Sequence, residues 1–290
     1  MSIDKLQLKI RKMKSPVVVD FSFMKEHIPQ QYWDEKADFI SAYTSYTLRL
    51  LEALKHSVPA VRFNFSMLAI YGNKGANALR ELLNAAKSQG YYVFLDVPDS
   101  FSKQSAQYAA EALLGDEALW NFDGLVMSSY IGSDGIVPYI DRLRNSEKDL
   151  FVIVRTSNRS AAEMQDLMTG SRLVHMAMAD LVYRQSPAFV ERCGYSRIGL
   201  VAAASSADSI RTLRGKYADM FFLLDGSDYP NANAKNCSNA FDKLGHGAIA
   251  CVGLSVTNAW NQDEDSDPIT AAVSAAERMK KNIGRYVTIL

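Results

Sequence analysis

Neither sign of charge is in excess in this chain of 290 residues, because 32 Lys and Arg residues balance 32 Asp and Glu residues. Proteins that bind nucleic acids or membrane surfaces normally carry a basic excess, so neither class is favoured. A small ligand with its own local charge remains compatible with this balance. We therefore expect a small-molecule ligand as partner, with no nucleic acid and no membrane.

Cysteine and histidine are scarce as well. The three cysteines (Cys193, Cys237 and Cys251) are odd in number, and their spacing fits neither a disulfide framework nor a zinc site. We expect reduced, mostly buried thiols. The four histidines belong to no nucleophile motif with Ser or Cys, and the HExxH, P-loop and GxGxxG patterns are absent. A triad hydrolase is disfavoured, and we expect no cofactor and no metal.

Long apolar runs are missing too. The first 15 residues mix five basic side chains with Leu and Ile, and no apolar core follows them. We expect neither a secretory signal nor a membrane span, and hence a cytoplasmic protein. Residues 1–16 are interpreted as a short N-terminal helical extension.

Eight short apolar runs alternate with longer amphipathic segments. The predicted strands are Val17–Phe21, Ala60–Phe65, Tyr91–Val97, Gly124–Ser128, Leu150–Arg155, Arg197–Ala203, Asp219–Leu224 and Ala248–Gly253. The predicted helices are Asp34–His56, Ala76–Ser88, Ser102–Leu114, Ala161–Gln185, Ala207–Lys216, Ala232–Leu244 and Pro268–Arg285. Continuous apolar strands are typical of parallel sheets buried on both faces. The pattern predicts an α/β fold, a single-domain (β/α)8 TIM barrel over 1–290; a doubly wound open sheet is the alternative.

Polar residues stand where these strands end, which is where a TIM barrel places its site. They include Asp20, Arg62 with Asn64, Asp96 with Asp99, and the run Thr156-Ser157-Asn158. An arginine inside a strand needs a carboxylate partner, so we expect an ion pair between Arg62 and Asp96. We predict Arg62, Asp96 and Asp99 as catalytic residues. The ligand-binding candidates are Asp20, Asn64, Thr156, Ser157 and Asn158.

Several motifs resemble those of the bacterial "type 2" orotidine 5′-phosphate decarboxylases, with a likeness that runs from Val17 to Trp260. They are Val61-Arg62-Phe63-Asn64, Tyr71-Gly72-Asn73-Lys74-Gly75, Tyr130-Ile131-Gly132-Ser133-Asp134-Gly135, Val154-Arg155-Thr156-Ser157-Asn158-Arg159-Ser160 and Gly245-His246-Gly247-Ala248-Ile249. The resemblance implies decarboxylation of orotidine monophosphate to UMP without metal or cofactor. It also implies a homodimer with sites at the interface.

The family's chemistry uses a Lys-Asp-Lys-Asp array, in which a central Lys stabilises and protonates the developing carbanion. By resemblance, Arg62 replaces the first Lys and Asp96 is retained. The catalytic Lys falls at Pro98 or in a deletion beside it, and the next lysine is Lys103. Proline cannot donate a proton. Asp99 could replace the last Asp only through a loop shift.

The implied phosphate ligands differ as well, with Pro230 near the position of the family's Gln and Leu254 at its Arg. Asp20 matches the ribose-contacting Asp, and Ser157 matches the base-contacting Ser. The resemblance thus implies substrate loops without the charges that handle orotidine monophosphate.

Three hypotheses follow. The first is a diverged barrel without decarboxylase activity that binds a nucleoside-like ligand or acts through protein contacts. The second is a functional decarboxylase with rearranged groups, for example with Lys103 turned inward. The third is new chemistry, metal-assisted, on an acid cluster of Asp96, Asp99 and Asp228 beside Arg62.

Overall fold

A computed structural model describes residues 2–33, 38–128, 130–229, 232–262 and 266–290. Its strands are β1 (Val17–Asp20), β2 (Ala60–Asn64), β3 (Tyr92–Asp96), β4 (Gly124–Ser128), β5 (Asp149–Ile153), β6 (Met168–Thr169), β7 (Arg172–Leu173), β8 (Ser196–Ala203), β9 (Met220–Asp225) and β10 (Ala248–Val252). Its helices are α1 (Ser2–Met13), α2 (Phe39–Leu54), α3 (Phe65–Ala69), α4 (Gly72–Ser88), α5 (Lys103–Leu114), α6 (Ser133–Leu143), α7 (Ala161–Met164), α8 (Val174–Tyr183), α9 (Ala207–Lys216), α10 (Ala234–Ser238), α11 (Leu254–Thr257) and α12 (Pro268–Gly284).

Eight strands close into a barrel in the order β1-β10-β9-β8-β5-β4-β3-β2, and each neighbouring pair is parallel. The predicted (β/α)8 TIM barrel is therefore confirmed, and the open-sheet alternative is wrong. The strands are buried along their length, as their continuous apolar sequences indicated. The last residue of β1, β2, β3 and β9 is only partly buried, because it faces the mouth of the barrel.

The helix predicted over Ala161–Gln185 is wrong. Residues 161–164 form one turn, a two-stranded hairpin of β6 and β7 follows, and α8 begins only at Val174. Gly170 lies in the turn of this hairpin at φ +64°, a left-handed conformation that glycine adopts without strain. Ser160 and Glu163 have the spacing of a capping box, but Ser160 makes no side-chain capping bond.

Other helices have different ends from those predicted, and helix α6 was not predicted. Residues 34–37 of the predicted Asp34–His56 helix lie outside the described residues, and α2 is seen from Phe39, capped by Asp38. The predicted Ala232–Leu244 helix shortens to α10. Helix α6 was not expected, because Pro138 lies inside it and glycine and proline are poor helix formers.

Helix α1 covers the amino-terminal end of the barrel. Its side chains Ile3, Leu6 and Ile10 are fully buried, and Gln7 accepts a hydrogen bond from the backbone of Gly247, just before β10. Within the described residues, no helix has the length and apolar character needed to cross a membrane.

A buried carboxyl group, Asp149, lies at the start of β5 at the same end. Tyr92 donates a hydrogen bond to its Oδ2 at 2.7 Å, and Arg197 Nε lies 3.6 Å from its Oδ1, which has no hydrogen-bond partner. The guanidinium of Arg197 instead donates to the carbonyls of Leu143, Ser146 and Lys148. Burial therefore raises the pKa of Asp149 to about 8, although Tyr92 and Arg197 act in the opposite direction.

The pKa of Asp149 is higher in the folded protein than in the unfolded protein. Asp149 therefore favours the folded state most at low pH, and this contribution is lost as the pH rises towards 8. We expect Asp149→Asn to become more stable relative to the natural protein between pH 4 and pH 8, by up to about 1.4 kcal/mol per pH unit. Urea unfolding of both proteins across this range measures the difference. A difference that does not change with pH would contradict a buried, neutral Asp149.

Candidate active site

Four charged residues meet at the mouth because the carboxyl ends of parallel strands lie at one end of the barrel. The strand registers pair Asp20 with Arg62 and Asn64 with Asp96, and Asp225 ends β9 on the far side. Arg62 is buried and points across the mouth, since its contacts lie on both sides.

The Arg62 guanidinium is held by carboxylates from three strands. Its Nε lies 2.8 and 2.9 Å from the two carboxylate oxygens of Asp96, and one terminal nitrogen lies 2.6 Å from Asp96 Oδ2. The other terminal nitrogen lies 2.6 Å from Asp225 Oδ1 and 3.9 Å from Asp20 Oδ2. The predicted Arg62–Asp96 pair is present, and Asp225 completes a bridge across the barrel. We call Arg62, Asp20, Asp96 and Asp225 the mouth cluster.

The three carboxyl groups of the mouth cluster differ in acidity. Burial raises the pKa of Asp96 to about 6, even though Arg62 opposes that change. Burial also raises the pKa of Asp20, and the more distant Arg62 compensates only in part. For Asp225, burial is outweighed by Arg62, by the Ser157 hydroxyl and by the Gly226 backbone, so its pKa is lowered. The cluster thus pairs one permanent cation with three acids, of which Asp225 ionises most readily.

Asp225 is oriented by Ser157, whose hydroxyl donates to Asp225 Oδ2 at 2.9 Å. Gly226 follows directly at φ +66°, and a Cβ built on it would lie 2.9 Å from both Cβ and Oγ of Ser157. Glycine is therefore needed at 226 both for its backbone angle and for space. Ser157, predicted as a ligand-binding residue, does lie at the mouth.

The structure does not bring Asp99 or Lys103 to Arg62. Asp99 is exposed in the loop after β3, and Lys103 is the exposed first residue of α5. Pro98, at the position implied for the catalytic lysine, is exposed in the same loop. None of the three is among the charged partners of the mouth cluster.

Two further predicted ligand-binding residues make side-chain contacts within the protein, and a third is exposed. Asn64 Oδ1 accepts from the Met67 backbone at 3.0 Å and so caps α3. The backbone and hydroxyl of Thr156 both bond to the Gln165 side chain. Asn158 is exposed. A role of these residues in ligand binding stays a prediction.

Two important residues were absent from the predicted site. Asp225 is a strand-end acid like Asp96, but only the closed barrel shows that it reaches Arg62 from the opposite side. Cys251, buried in β10, lies with its Sγ 3.4 Å from an Arg62 nitrogen; it had been interpreted only as a buried thiol. Its position directly after a predicted strand could have marked Asp225 as a site residue, although not as a partner of Arg62.

The carboxylates of the mouth cluster contact the guanidinium of Arg62. Within the part of the chain that the structure describes, no group of three or more His, Cys, Asp or Glu side chains is arranged to hold a metal ion. The metal-assisted alternative therefore has no geometric support among these residues.

Comparison with known sequences tests the family resemblance. The chain matches no protein-family model. It is 25% identical over 300 residues to orotidine 5′-phosphate decarboxylase of Caldicellulosiruptor bescii and 27% identical over 287 residues to that of Clostridium novyi, and each alignment covers 98% of both chains. The resemblance to the orotidine 5′-phosphate decarboxylases is confirmed.

Solved structures carry the same fold. The Leishmania donovani OMP decarboxylase superposes with a TM-score of 0.74 at 23% identity and covers 98% of this chain and 99% of its own. The Plasmodium berghei orotidine 5′-monophosphate decarboxylase gives a TM-score of 0.77 at 15% identity, with 98% of each chain covered. At these identities the likeness shows a shared barrel, and the residues of the mouth cluster must be judged by their own chemistry.

Replacing Arg62, the cation at the centre of the mouth cluster, should lower the free energy of unfolding. Arg62→Met would leave Asp96 and Asp225 without their counter-charge, and breaking a buried pair by removing one partner costs about 3–5 kcal/mol. The loss should be smaller at pH 5 than at pH 8, because Asp96 is then largely protonated. Urea unfolding at both values measures it.

Arg211→Met is the matched control, since Arg211 pairs with Asp208 on the exposed face of α9 and its loss should change stability little. Equal, small effects of the two substitutions would contradict a structural role for Arg62.

Gly226→Ala should lower the stability of the protein by more than the backbone strain alone would. An alanine in the left-handed region costs about 1–2 kcal/mol, and the clash with Ser157 should add about 1–3 kcal/mol. Gly170→Ala is the matched control, because Gly170 has φ +64° but a Cβ there meets nothing within 4 Å. Thermal unfolding of both variants measures the difference. Equal losses would show that Ser157 is not held against Gly226.

Proposed function

We propose that this chain is a diverged barrel of the orotidine 5′-phosphate decarboxylase family that binds a small, hydroxyl-rich, nucleoside-like ligand and does not decarboxylate orotidine monophosphate. The observation that carries this proposal is the state of Arg62. All three of its guanidinium nitrogens face acceptors of the protein itself, in Asp96, Asp225 and Cys251.

Decarboxylation needs a group that stabilises and protonates a carbanion as it forms. An arginine has a pKa far too high to act as an acid at neutral pH. Here the carboxylates of the mouth cluster raise the pKa of Arg62 further and outweigh its burial, which acts in the opposite direction. Pro98 has no proton to give, and Lys103 lies exposed at the start of α5. Arg62, Pro98 and Lys103 thus do not supply the lysine ammonium group that the resemblance implies as the proton donor.

The charges of the mouth cluster also disfavour orotidine monophosphate as a ligand. The cluster has three carboxyl groups and one guanidinium, and orotidine monophosphate itself carries a carboxylate and a phosphate. Bringing such an anion into a mouth with excess carboxylate is electrostatically unfavourable. A neutral ligand does not meet this penalty.

The remaining hydrogen-bonding capacity suits such a ligand. Ser157 uses its hydroxyl hydrogen on Asp225 and keeps lone pairs that can accept from a ligand N–H. Asp20 accepts from the Ser22 backbone through Oδ1 and has its Oδ2 3.9 Å from Arg62, so Oδ2 can accept from a ligand hydroxyl. A base N–H and sugar hydroxyls are donors of this kind.

The second candidate is a functional decarboxylase, and it is favoured by full-length similarity to proteins of that name. It requires Asp99 or Lys103 to move into the mouth. The homodimer implied by the resemblance is a further proposal that applies to either candidate.

One experiment separates the two candidates. We expect no UMP above a buffer blank when the folded protein is incubated with orotidine monophosphate and the products are separated by chromatography. We also expect uridine to raise the melting temperature, since a ligand at 100 times its Kd stabilises by about 2.7 kcal/mol. A decarboxylase from a known relative serves as the positive control. UMP formation by this protein would overturn the proposal and support the second candidate.

A further inference from the structure

A cavity of about 460 Å³ lies beside the mouth cluster, between β1 and the loops that follow β9 and β10. Three acids line it: Asp20, Asp225 and Asp228. No Lys, Arg or His is among the described residues of its lining. A negatively charged ligand group would therefore meet three carboxylates and no cationic lining residue, since Arg62 lies behind Asp20 and Asp225.

Asp228 occupies a particular position in this wall. Its Oδ2 accepts hydrogen bonds from the backbone N–H groups of Gly253, at 2.8 Å, and Ser255, at 3.2 Å. The loop that carries it is fixed to β10, because Ser227 donates its backbone N–H to the Cys251 carbonyl at 3.0 Å. One carboxylate thus links the loop after β9 to the first residues after β10.

TIM barrels frequently bind phosphate between the loops that follow the seventh and eighth strands, where backbone N–H groups point at the anion. In this barrel β9 and β10 are the seventh and eighth strands. The N–H groups of Gly253 and Ser255 already have an anionic partner, the carboxylate of Asp228. A phosphate would have to displace a carboxylate that is part of the chain.

The same wall holds buried polar atoms that need a partner. Ser255 Oγ and Asn258 Oδ1 are both buried and have no hydrogen-bond partner within the described protein. Both residues line the cavity. Leaving such atoms unpaired costs about 1–3 kcal/mol each, so a ligand that supplies donors would gain from pairing them once the two side chains turn towards the cavity.

We propose that Asp228 is a specificity-determining residue, whose carboxylate takes the place of a ligand phosphate so that the cavity accepts a neutral, hydroxyl-bearing group. Ligand hydroxyls donate to Asn258 Oδ1 and to the free carboxylate oxygens, and they accept or donate at Ser255. Tyr229, which is half exposed, also lines this cavity. This inference rests on the proposed binding of a nucleoside-like ligand, and it specifies that the ligand has no phosphate.

Uridine and UMP are the probes, since they differ only by the phosphate. Isothermal titration calorimetry on the full chain should show uridine binding at least tenfold more tightly than UMP. Asp228→Asn keeps an oxygen for the Gly253 N–H but removes the charge, and it should reduce this preference at least tenfold. Asp228→Ser, which retains a hydroxyl acceptor, should act in the same direction.

Asp208→Asn is the matched control, because it removes one negative charge from an exposed side chain on α9. It should leave the preference for uridine unchanged. A natural protein that binds UMP more tightly than uridine would overturn the inference while leaving ligand binding intact. An unchanged preference in both Asp228 variants would also overturn it. Binding of neither compound would overturn the proposed function, and the inference with it.

Discussion

The bridge from Asp96 through Arg62 to Asp225 is the interaction on which the mouth of this barrel depends. A buried guanidinium is tolerable only when carboxylates neutralise it and accept its hydrogen bonds, and here they come from opposite sides of the barrel. The planar fork of arginine can bond to two carboxylates at once, which the point charge of a lysine cannot do in the same way. Arg62 therefore holds the ends of three strands together.

Other features of the site follow from that bridge. Asp225 must be ionised and correctly oriented, so Ser157 bonds to it and Gly226 leaves the space for Ser157. The acids exceed the cations at the mouth, and Asp228 adds a further carboxylate at the point where a phosphate would otherwise approach. Together these contacts favour ligands that donate hydrogen bonds and carry no negative charge. Under the proposed function, the barrel keeps a place for a polar ligand while its charges differ from those that the family resemblance implies.

The barrel could be predicted from the sequence, since buried parallel strands are continuous apolar runs and each of the eight was located within a few residues. The Arg62–Asp96 pair was also predictable, because neighbouring strands place both residues at one end and a buried arginine requires an acid. Asp225 could not be assigned as a second partner, since a contact across a closed barrel depends on the direction of a side chain and not on sequence spacing. The hairpin of β6 and β7 was missed because its apolar residues continue a helical rhythm, and only Gly170 marks the turn. The cap made by Asn64 likewise resembled a ligand contact in the sequence.

The state of the Arg62 guanidinium tests the central claim most directly. In ¹⁵N NMR of the folded protein, with Arg62→Lys used to assign the signal, we expect a slowly exchanging Arg62 Nε–H resonance. It should stay unchanged when orotidine monophosphate is added and shift in Asp225→Asn. A resonance that shifts on addition of orotidine monophosphate, and is insensitive to Asp225→Asn, would show that Arg62 serves a substrate and would contradict the account.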